Sequence, residues 1–87
     1  MYMSRIPVRK LQSLAIALRE RYRLSQVYFV ERKGQRAHHL CGDGSAGFDR
    51  AGHMELGNGL AVYWHGTLSH QQQVDMKSRI AGELNCA

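Results

Sequence analysis

The sequence predicts an α+β fold: a four-stranded antiparallel sheet of two hairpins, with one helix before it and one after it. Two observations predict this class. Apolar residues recur with a helical period near both ends of the chain. Between them, short β-branched and aromatic runs are separated by turns that contain glycine. The 87 residues suffice for one domain, so we expect residues 1–87 to form a single α-β-β-β-β-α unit with both helices on one sheet face.

The first element is predicted to be a helix from about Pro7 to Arg23. Its apolar residues follow the spacing i, i+3, i+7, i+10 and i+14 of one buried helical face. They are Val8, Leu11, Ala15, Leu18 and Tyr22, and Leu14 widens the stripe. Proline is tolerated at the start because the first amides of a helix have no intrahelical partner.

The first hairpin is predicted to follow this helix directly. Its first strand spans Gln26–Lys33, where four consecutive β-branched or aromatic residues are typical of a strand buried on both faces. Gly34 provides the turn, and the chain returns over Arg36–Cys41.

The second hairpin is predicted from two short apolar runs, His53–Leu56 and Leu60–His65. Between them lie Gly57, Asn58 and Gly59. Asn-Gly between apolar runs is a strong hairpin signal because both residues accept a positive φ.

The last element is predicted to be a helix that ends near Leu84. It opens with Ser69 and Gln72, which match a capping box in which each side chain bonds the other residue's backbone amide. Its expected apolar face consists of Val74, Ile80, Ala81 and Leu84.

No arrangement of residues indicates catalysis. The segment Gly42–Gly47, expected to be a glycine-rich loop, matches G-x-G-x-x-G but lacks the following helix and the later acidic residue of a dinucleotide site. Ser45 lacks the strand-turn-helix elbow of a serine hydrolase. The candidate acid–base carboxylates have no spacing that holds them together. They are Asp43, Asp49 and Glu55. We therefore expect a protein that is not an enzyme and has no cofactor.

Five histidines and Cys41 raise the question of a metal site, because imidazole and thiolate suit zinc. Strict alternation along the second strand would place His39 and Cys41 on one face, and His65 could complete a three-ligand set. Paired spacings such as C-x-x-C are absent, so we expect no metal and histidines satisfied by hydrogen bonds. Cys41 and Cys86 are expected to be free thiols.

The positive charge is concentrated in the first 36 residues. They contain nine Lys or Arg against two acidic residues, whereas the chain as a whole has a net charge of +5. Such asymmetry is typical of a surface that attracts an acidic protein or a nucleic acid, and it is also compatible with a solvated surface that aids solubility. The candidate binding residues are Arg9, Lys10, Arg19, Arg21, Arg23, Arg32, Lys33 and Arg36.

Nucleic-acid binding is the alternative function that the charge leaves open. A sheet that binds RNA interleaves basic residues with exposed aromatic rings. Here the aromatic residues of the strands lie within apolar runs, so we expect them to build the core instead. They are Tyr28, Phe29, Tyr63 and Trp64.

The location predicted from the sequence is the cytoplasm. The longest apolar runs, Leu14–Leu18 and Leu60–Trp64, are far shorter than the roughly 18 residues of a membrane span. The segment Met1–Lys10 has neither the apolar core nor the cleavage pattern of a signal peptide.

The second half of the chain resembles the last strand and last helix of GAF domains. The resemblance rests on Gly59-Leu60-Ala61-Val62-Tyr63, followed by Leu68-Ser69 and by Gln71-Gln72 at the start of the terminal helix. The hairpin that begins at Gln26 is similar to the first hairpin of that family. The pocket-roofing segment of GAF domains corresponds here only to Gly42–Gly52. The resemblance therefore implies a reduced scaffold that contacts proteins rather than sensing a small ligand.

Together these features predict a regulatory or protein-interaction module that forms a homodimer and binds an acidic protein through its basic N-terminal part. A small nucleic-acid-binding protein is the alternative. A domain that senses a metal or a small ligand is the third possibility.

Overall fold

The computed structural model describes residues 8–45, 50–57 and 59–85. It has the predicted order α-β-β-β-β-α. The elements are α1 (Val8–Tyr22), β1 (Gln26–Lys33), β2 (Arg36–Gly44), β3 (Ala51–Gly57), β4 (Leu60–His65) and α2 (His70–Asn85). The four strands form one antiparallel sheet in the order β2-β1-β4-β3, so the two hairpins join through the pairing of β1 with β4.

The predicted strands are confirmed, two of them with corrected lengths. β1 and β4 have the predicted bounds, but β3 is longer than expected, and β2 continues through Gly44. The expected loop over Gly42–Gly47 is therefore wrong for its first three residues. Gly42 pairs with Tyr28 in this extension. The position requires glycine, because a Cβ here would collide with Tyr28 Cβ and would lie 2.8 Å from the Val27 carbonyl oxygen.

Helix α1 buries most of its predicted stripe. Leu11, Ala15 and Leu18 are buried, whereas Val8 is 42% exposed, because it is the first residue of the helix. The helix ends at Tyr22; the next residue, Arg23, has a φ of 55°, and the Leu24 amide donates to the Arg19 carbonyl oxygen at 2.9 Å. This is the bond of a Schellman cap, and it turns the chain directly into β1.

Helix α2 begins with the predicted capping box. Ser69 N donates to Gln72 Oε1 at 2.9 Å, and Gln72 N donates to Ser69 Oγ at 3.1 Å. The predicted apolar face needs correction: Met76 and Ile80 are fully buried, whereas Val74 is 48% exposed. Ala81 is exposed too, because the buried face of α2 follows the i, i+4 spacing from Met76 to Ile80.

The two helices pack side by side on one face of the sheet. Tyr22 near the end of α1 donates a hydrogen bond to Asp75 near the start of α2, and Lys10 Nζ donates to the Glu83 carbonyl oxygen at 3.1 Å, so the helices run antiparallel. The core between helices and sheet includes Leu11, Leu18, Val27, Phe29, Cys41, Val62, Trp64, Met76 and Ile80. We call this side of the sheet the covered face.

Helix α1 also protects one edge of the sheet. Gln12 Nε2 donates to the Gly42 carbonyl oxygen at 2.9 Å, and the Gly42 amide donates to Gln12 Oε1 at 3.2 Å. One side-chain amide thus satisfies the two backbone groups of Gly42, which this part of the edge strand β2 would otherwise present to another chain. In the described ranges no helix is long and apolar enough to cross a membrane.

Several sequence predictions concern residues outside the described ranges. They are the helix start at Pro7, the loop residue Gly47, the carboxylate of Asp49, the turn residue Asn58 and the thiol of Cys86.

Candidate interaction surfaces

In the described part of the chain, the second face of the sheet carries no helix, and we call it the open face. Alternation along β1 and β4 divides the aromatic residues between the faces. Phe29 and Trp64 are buried on the covered face, as predicted. Tyr28 and Tyr63 point the other way and are only half-buried, so the prediction that they build the core is wrong.

Four rings form a continuous stack across all four strands of the open face. From β2 to β3 the order is His39, Tyr28, Tyr63 and His53. The successive centroids are 5.6, 5.3 and 5.1 Å apart, with interplanar angles of 28°, 13° and 19°. We call these four residues the aromatic ladder. His39 reaches Tyr28 diagonally, because the residue directly opposite Tyr28 is Gly42.

The rings of the ladder are stacked on one another across neighbouring strands. Neighbouring strands are about 4.8 Å apart, so near-parallel rings at that spacing are stacked face to face. Both faces of Tyr28 and of Tyr63 are therefore occupied by neighbouring rings. The ladder offers ring edges to a partner, together with the outer faces of His39 and His53. A nucleic acid base has no tyrosine face on which to stack, in contrast to RNA-binding sheets.

A β-bulge separates the residues of the expected metal set. The register between β1 and β2 shifts after Phe29, which pairs with Cys41, whereas Val30 pairs with His39. The bulge reverses the alternation, so the prediction that His39 and Cys41 share a face is wrong. Cys41 is buried on the covered face as a free thiol, and burial raises its pKa. Among the described residues no three His, Cys, Asp or Glu side chains lie close enough together to hold a metal. The expectation that the histidines are satisfied by hydrogen bonds is wrong for His65, whose Nδ1 is buried without a hydrogen-bond partner among the described residues.

The two candidate carboxylates that the structure describes lie on opposite faces, each with an arginine. Asp43 accepts a hydrogen bond from Arg19 Nε at 2.5 Å on the covered side. Glu55 lies on the open face, 3.5 Å from Arg32 Nη1. Arg32 Nη2 also donates to Tyr63 Oη at 2.5 Å, and this bond, with the carboxylate of Glu55, raises the pKa of Arg32.

The open face is nearly neutral in an otherwise basic protein. Among the described strand residues on this face, only Arg32 and Glu55 carry a formal charge at neutral pH, and they pair with each other. Of the eight basic residues proposed as a binding surface, Arg32 alone lies on the open face. The structure thus separates the aromatic surface from the basic one.

The other seven basic candidates do not form one patch. Arg9, Lys10, Arg19 and Arg21 lie along α1, and Arg23 follows its end. Lys33 and Arg36 lie at the turn between β1 and β2, where they pair across the hairpin.

A groove runs along the outer seam between α1 and α2. One section, of about 430 Å³, has a floor of Leu14, Ala17 and Leu18, and Gly82 lines it from α2. A second section, of about 440 Å³, shares Leu14 and Ala17 and continues the groove toward the start of α1. The charged residues that line the two sections are Arg9, Lys10, Arg21, Arg79 and Glu83.

The groove has a net positive charge, although the carboxylate of Asp75 forms ion pairs with two of its arginines. Asp75, near its far end, lies 3.0 Å from Arg79 Nε and 3.7 Å from Arg21 Nε. Hydrogen bonds from Tyr22 and Arg79 hold the pKa of Asp75 below its ordinary value. Four cationic side chains therefore face two carboxylates, Asp75 and Glu83.

The sequence contained the signal for one of these surfaces but not for the other. Tyr28 and Tyr63 occupy the alternate positions to Phe29 and Trp64, so period-two alternation could have assigned them to the open face. The groove depends on how two helices pack, and Arg79 with Gly82 became part of it only through that packing.

A scan against models of protein families finds no match, and neither a search of curated proteins nor a search of solved structures finds one. The resemblance to GAF domains therefore stays a prediction. The architecture itself, two helices and a four-stranded antiparallel sheet, stands on the structure.

Proposed function

We propose that this protein is a non-enzymatic interaction module that binds an acidic segment of another protein in the groove between α1 and α2. The observation that carries the proposal is an apolar floor bordered by an excess of cationic side chains. Apolar grooves between helices accept amphipathic helices, and opposite charge at the rim directs the encounter.

The dimensions of the groove support a helical ligand. It extends from Arg9 to Arg21, which is thirteen residues of α1 and a rise of about 18 Å. This length matches about three turns of a partner helix. A stripe of leucines on that helix would contact Leu14 and Ala17, and flanking glutamates would lie near Arg21 and Arg79.

The test is a titration with synthetic helical peptides, followed by fluorescence anisotropy. One peptide has leucine at positions i, i+4 and i+7 of each repeat with flanking glutamates, and the second has lysine in place of every glutamate. We expect the acidic peptide to bind and the basic one not to bind. The affinity should fall as salt rises, because the rim charges are exposed.

A matched pair of variants locates the binding. Ala17→Glu adds a carboxylate to the floor of the groove, and Ala81→Glu adds one to an exposed position of α2 that does not line it. The first should abolish binding, and the second should change it little. Equal binding of both peptides, or equal loss in both variants, would contradict the proposal.

Nucleic acid remains a second candidate, on the strength of one observation. Lys33 and Arg36 lie directly opposite each other in the β1–β2 hairpin, beside Arg32. Like charges in such a pair are destabilising unless an anion lies nearby. If a phosphate backbone is that anion, purified protein carries 260 nm absorbance that a salt wash removes, and Lys33→Glu with Arg36→Glu eliminates it.

A further inference from the structure

We infer that the open face is a homodimer interface, in which the aromatic ladders of two copies of this chain pack against each other. This surface is separate from the helical groove, so the inference does not depend on the proposed function. It rests on the ladder itself, on the charge of the open face and on the area available.

The ladder is an ordered apolar surface that nothing in the described part of the chain covers. Beside the stacked rings, Ala61 and Val30 are almost fully buried although they lie on the open face. The result is a row of ring edges across four strands. Ring edges are electropositive and ring faces electronegative, so the edges of one copy can pack on the exposed outer faces of His39 and His53 of another.

Charge favours a second copy over other occupants. Two copies of a protein with a net charge of +5 repel each other, and the repulsion is smallest when the contacting surfaces carry no net charge. The open face is such a surface, because Arg32 and Glu55 neutralise each other. Under twofold symmetry Arg32 of one copy can also approach Glu55 of the other, so the face is complementary to itself. Among the described residues, a polyanion finds no unpaired Lys or Arg on this face.

The area is sufficient for a weak dimer. Four strands about 4.8 Å apart, each of about seven residues, outline about 440 Å² per copy. Two copies would then bury about 900 Å², close to the lower limit of about 1,000 Å² for specific interfaces. We therefore expect a dissociation constant of about 10–100 µM for the dimer.

The experiment is sedimentation equilibrium of the full chain from about 10 µM to about 1 mM, a range that spans the expected dissociation constant. The wild-type protein should pass from monomer to dimer. Ala51→Arg places a cation beside His53 on the open face of both copies and should raise the dissociation constant at least about tenfold, because like charges then meet in the interface. Ala81→Arg, at an exposed position of α2, should dimerise as the wild type does.

Three results would overturn the inference. A wild-type chain that stays monomeric at the highest concentration has no such interface. A dimer that survives Ala51→Arg but is lost in Ala81→Arg pairs through its helices. A dimer unaffected by both variants pairs elsewhere, for example edge to edge through β3. Circular dichroism checks that Ala51→Arg is folded; if it is not, Ala37→Arg, exposed on the same face of β2, provides the same comparison.

Discussion

The two faces of this sheet are built from neighbouring residues of the same strands but have different physical characters. On the covered face, Phe29 and Val62 are fully buried beneath two helices. On the open face, Tyr28 and Tyr63 are half-buried and contact chiefly the other rings of the ladder. The covered face buries its apolar surface within one chain. The open face leaves apolar surface exposed to water, and a partner can bury it.

The difference indicates which residues hold the fold together and which are available for function. A chain of 87 residues has little stability to spare, so a large aromatic surface left uncovered reduces what burial can contribute. Dimerisation through the open face would return part of that stability in a concentration-dependent way.

Truncation of adjacent residues of β1 should have very different effects on the two faces. Phe29→Ala should lower the free energy of unfolding by about 3–5 kcal/mol, because it leaves a cavity in the core. Tyr28→Ala should lower it by only about 1–2 kcal/mol in dilute monomer, because that ring is only partly buried. Urea denaturation at low protein concentration measures both values. Equal losses would mean that the open face stabilises the monomer as much as the core does.

A second test uses thiols on the two faces of β2, in a Cys86→Ser background. Cys41 should react with a disulfide reagent at pH 8 at least about a hundredfold more slowly than an unfolded thiol, because it must wait for an opening of the fold. In a Cys41→Ser, His39→Cys chain the introduced thiol should react rapidly. Rapid labelling of native Cys41 would show that the bulge does not separate the faces as described.

A third test concerns the position where β2 approaches the ladder. Gly42→Ala should lower the free energy of unfolding by about 1–3 kcal/mol, because the added methyl group collides with Tyr28 and forces the strands apart. Gly82→Ala on α2 is the control, because no atom lies within 4 Å of the added methyl group. This variant should raise the free energy of unfolding by about 1 kcal/mol, since alanine has the higher helix propensity. Thermal unfolding of both variants provides the comparison.

The smallest expected effect is the pH dependence from the helical side. The pKa of Asp75 lies below its ordinary value of 3.8, so its contribution to stability is present above about pH 4 and is lost as pH falls through the lowered value. Asp75→Asn should remove this acid-dependent part of the unfolding curve. The exposure of the pair keeps the effect small. An unchanged pH profile in the variant would contradict the role of this carboxylate.

The sequence predicted the secondary structure well because the signals were local. The stripe of α1, the Ser69 capping box and the turn at Gly59 each depend on a few neighbouring residues. The second strand was predicted to end at Cys41, three residues too early. Its continuation through Gly44 depends on contacts with Gln12 and Arg19 of α1, which are far away in the sequence. The bulge at His39 was missed because a register shift in one strand is decided by its partner.

The candidate site was less predictable than the fold. The dispersal of the basic residues over the first helix and the first turn follows from the predicted elements, but the approach of Arg79 to Arg21 across two helices is a property of the folded chain. The ladder required the sheet order β2-β1-β4-β3, which brings Tyr28 beside Tyr63 from strands 35 positions apart in the sequence. No local pattern contains that pairing.

A dilution series followed by nuclear magnetic resonance tests whether the open face is the surface through which the protein self-associates. The series runs from about 1 mM to about 20 µM, because these concentrations bracket the expected dissociation constant. If the open face is the self-association surface, concentration-dependent shifts will concentrate on Tyr28, Val30, Ala61 and Tyr63, and the signals of Leu14, Ala17 and Gly82 will stay unchanged. Shifts confined to the helices, or no shifts at all, would contradict the division of the sheet into a face that holds the fold and a face that binds.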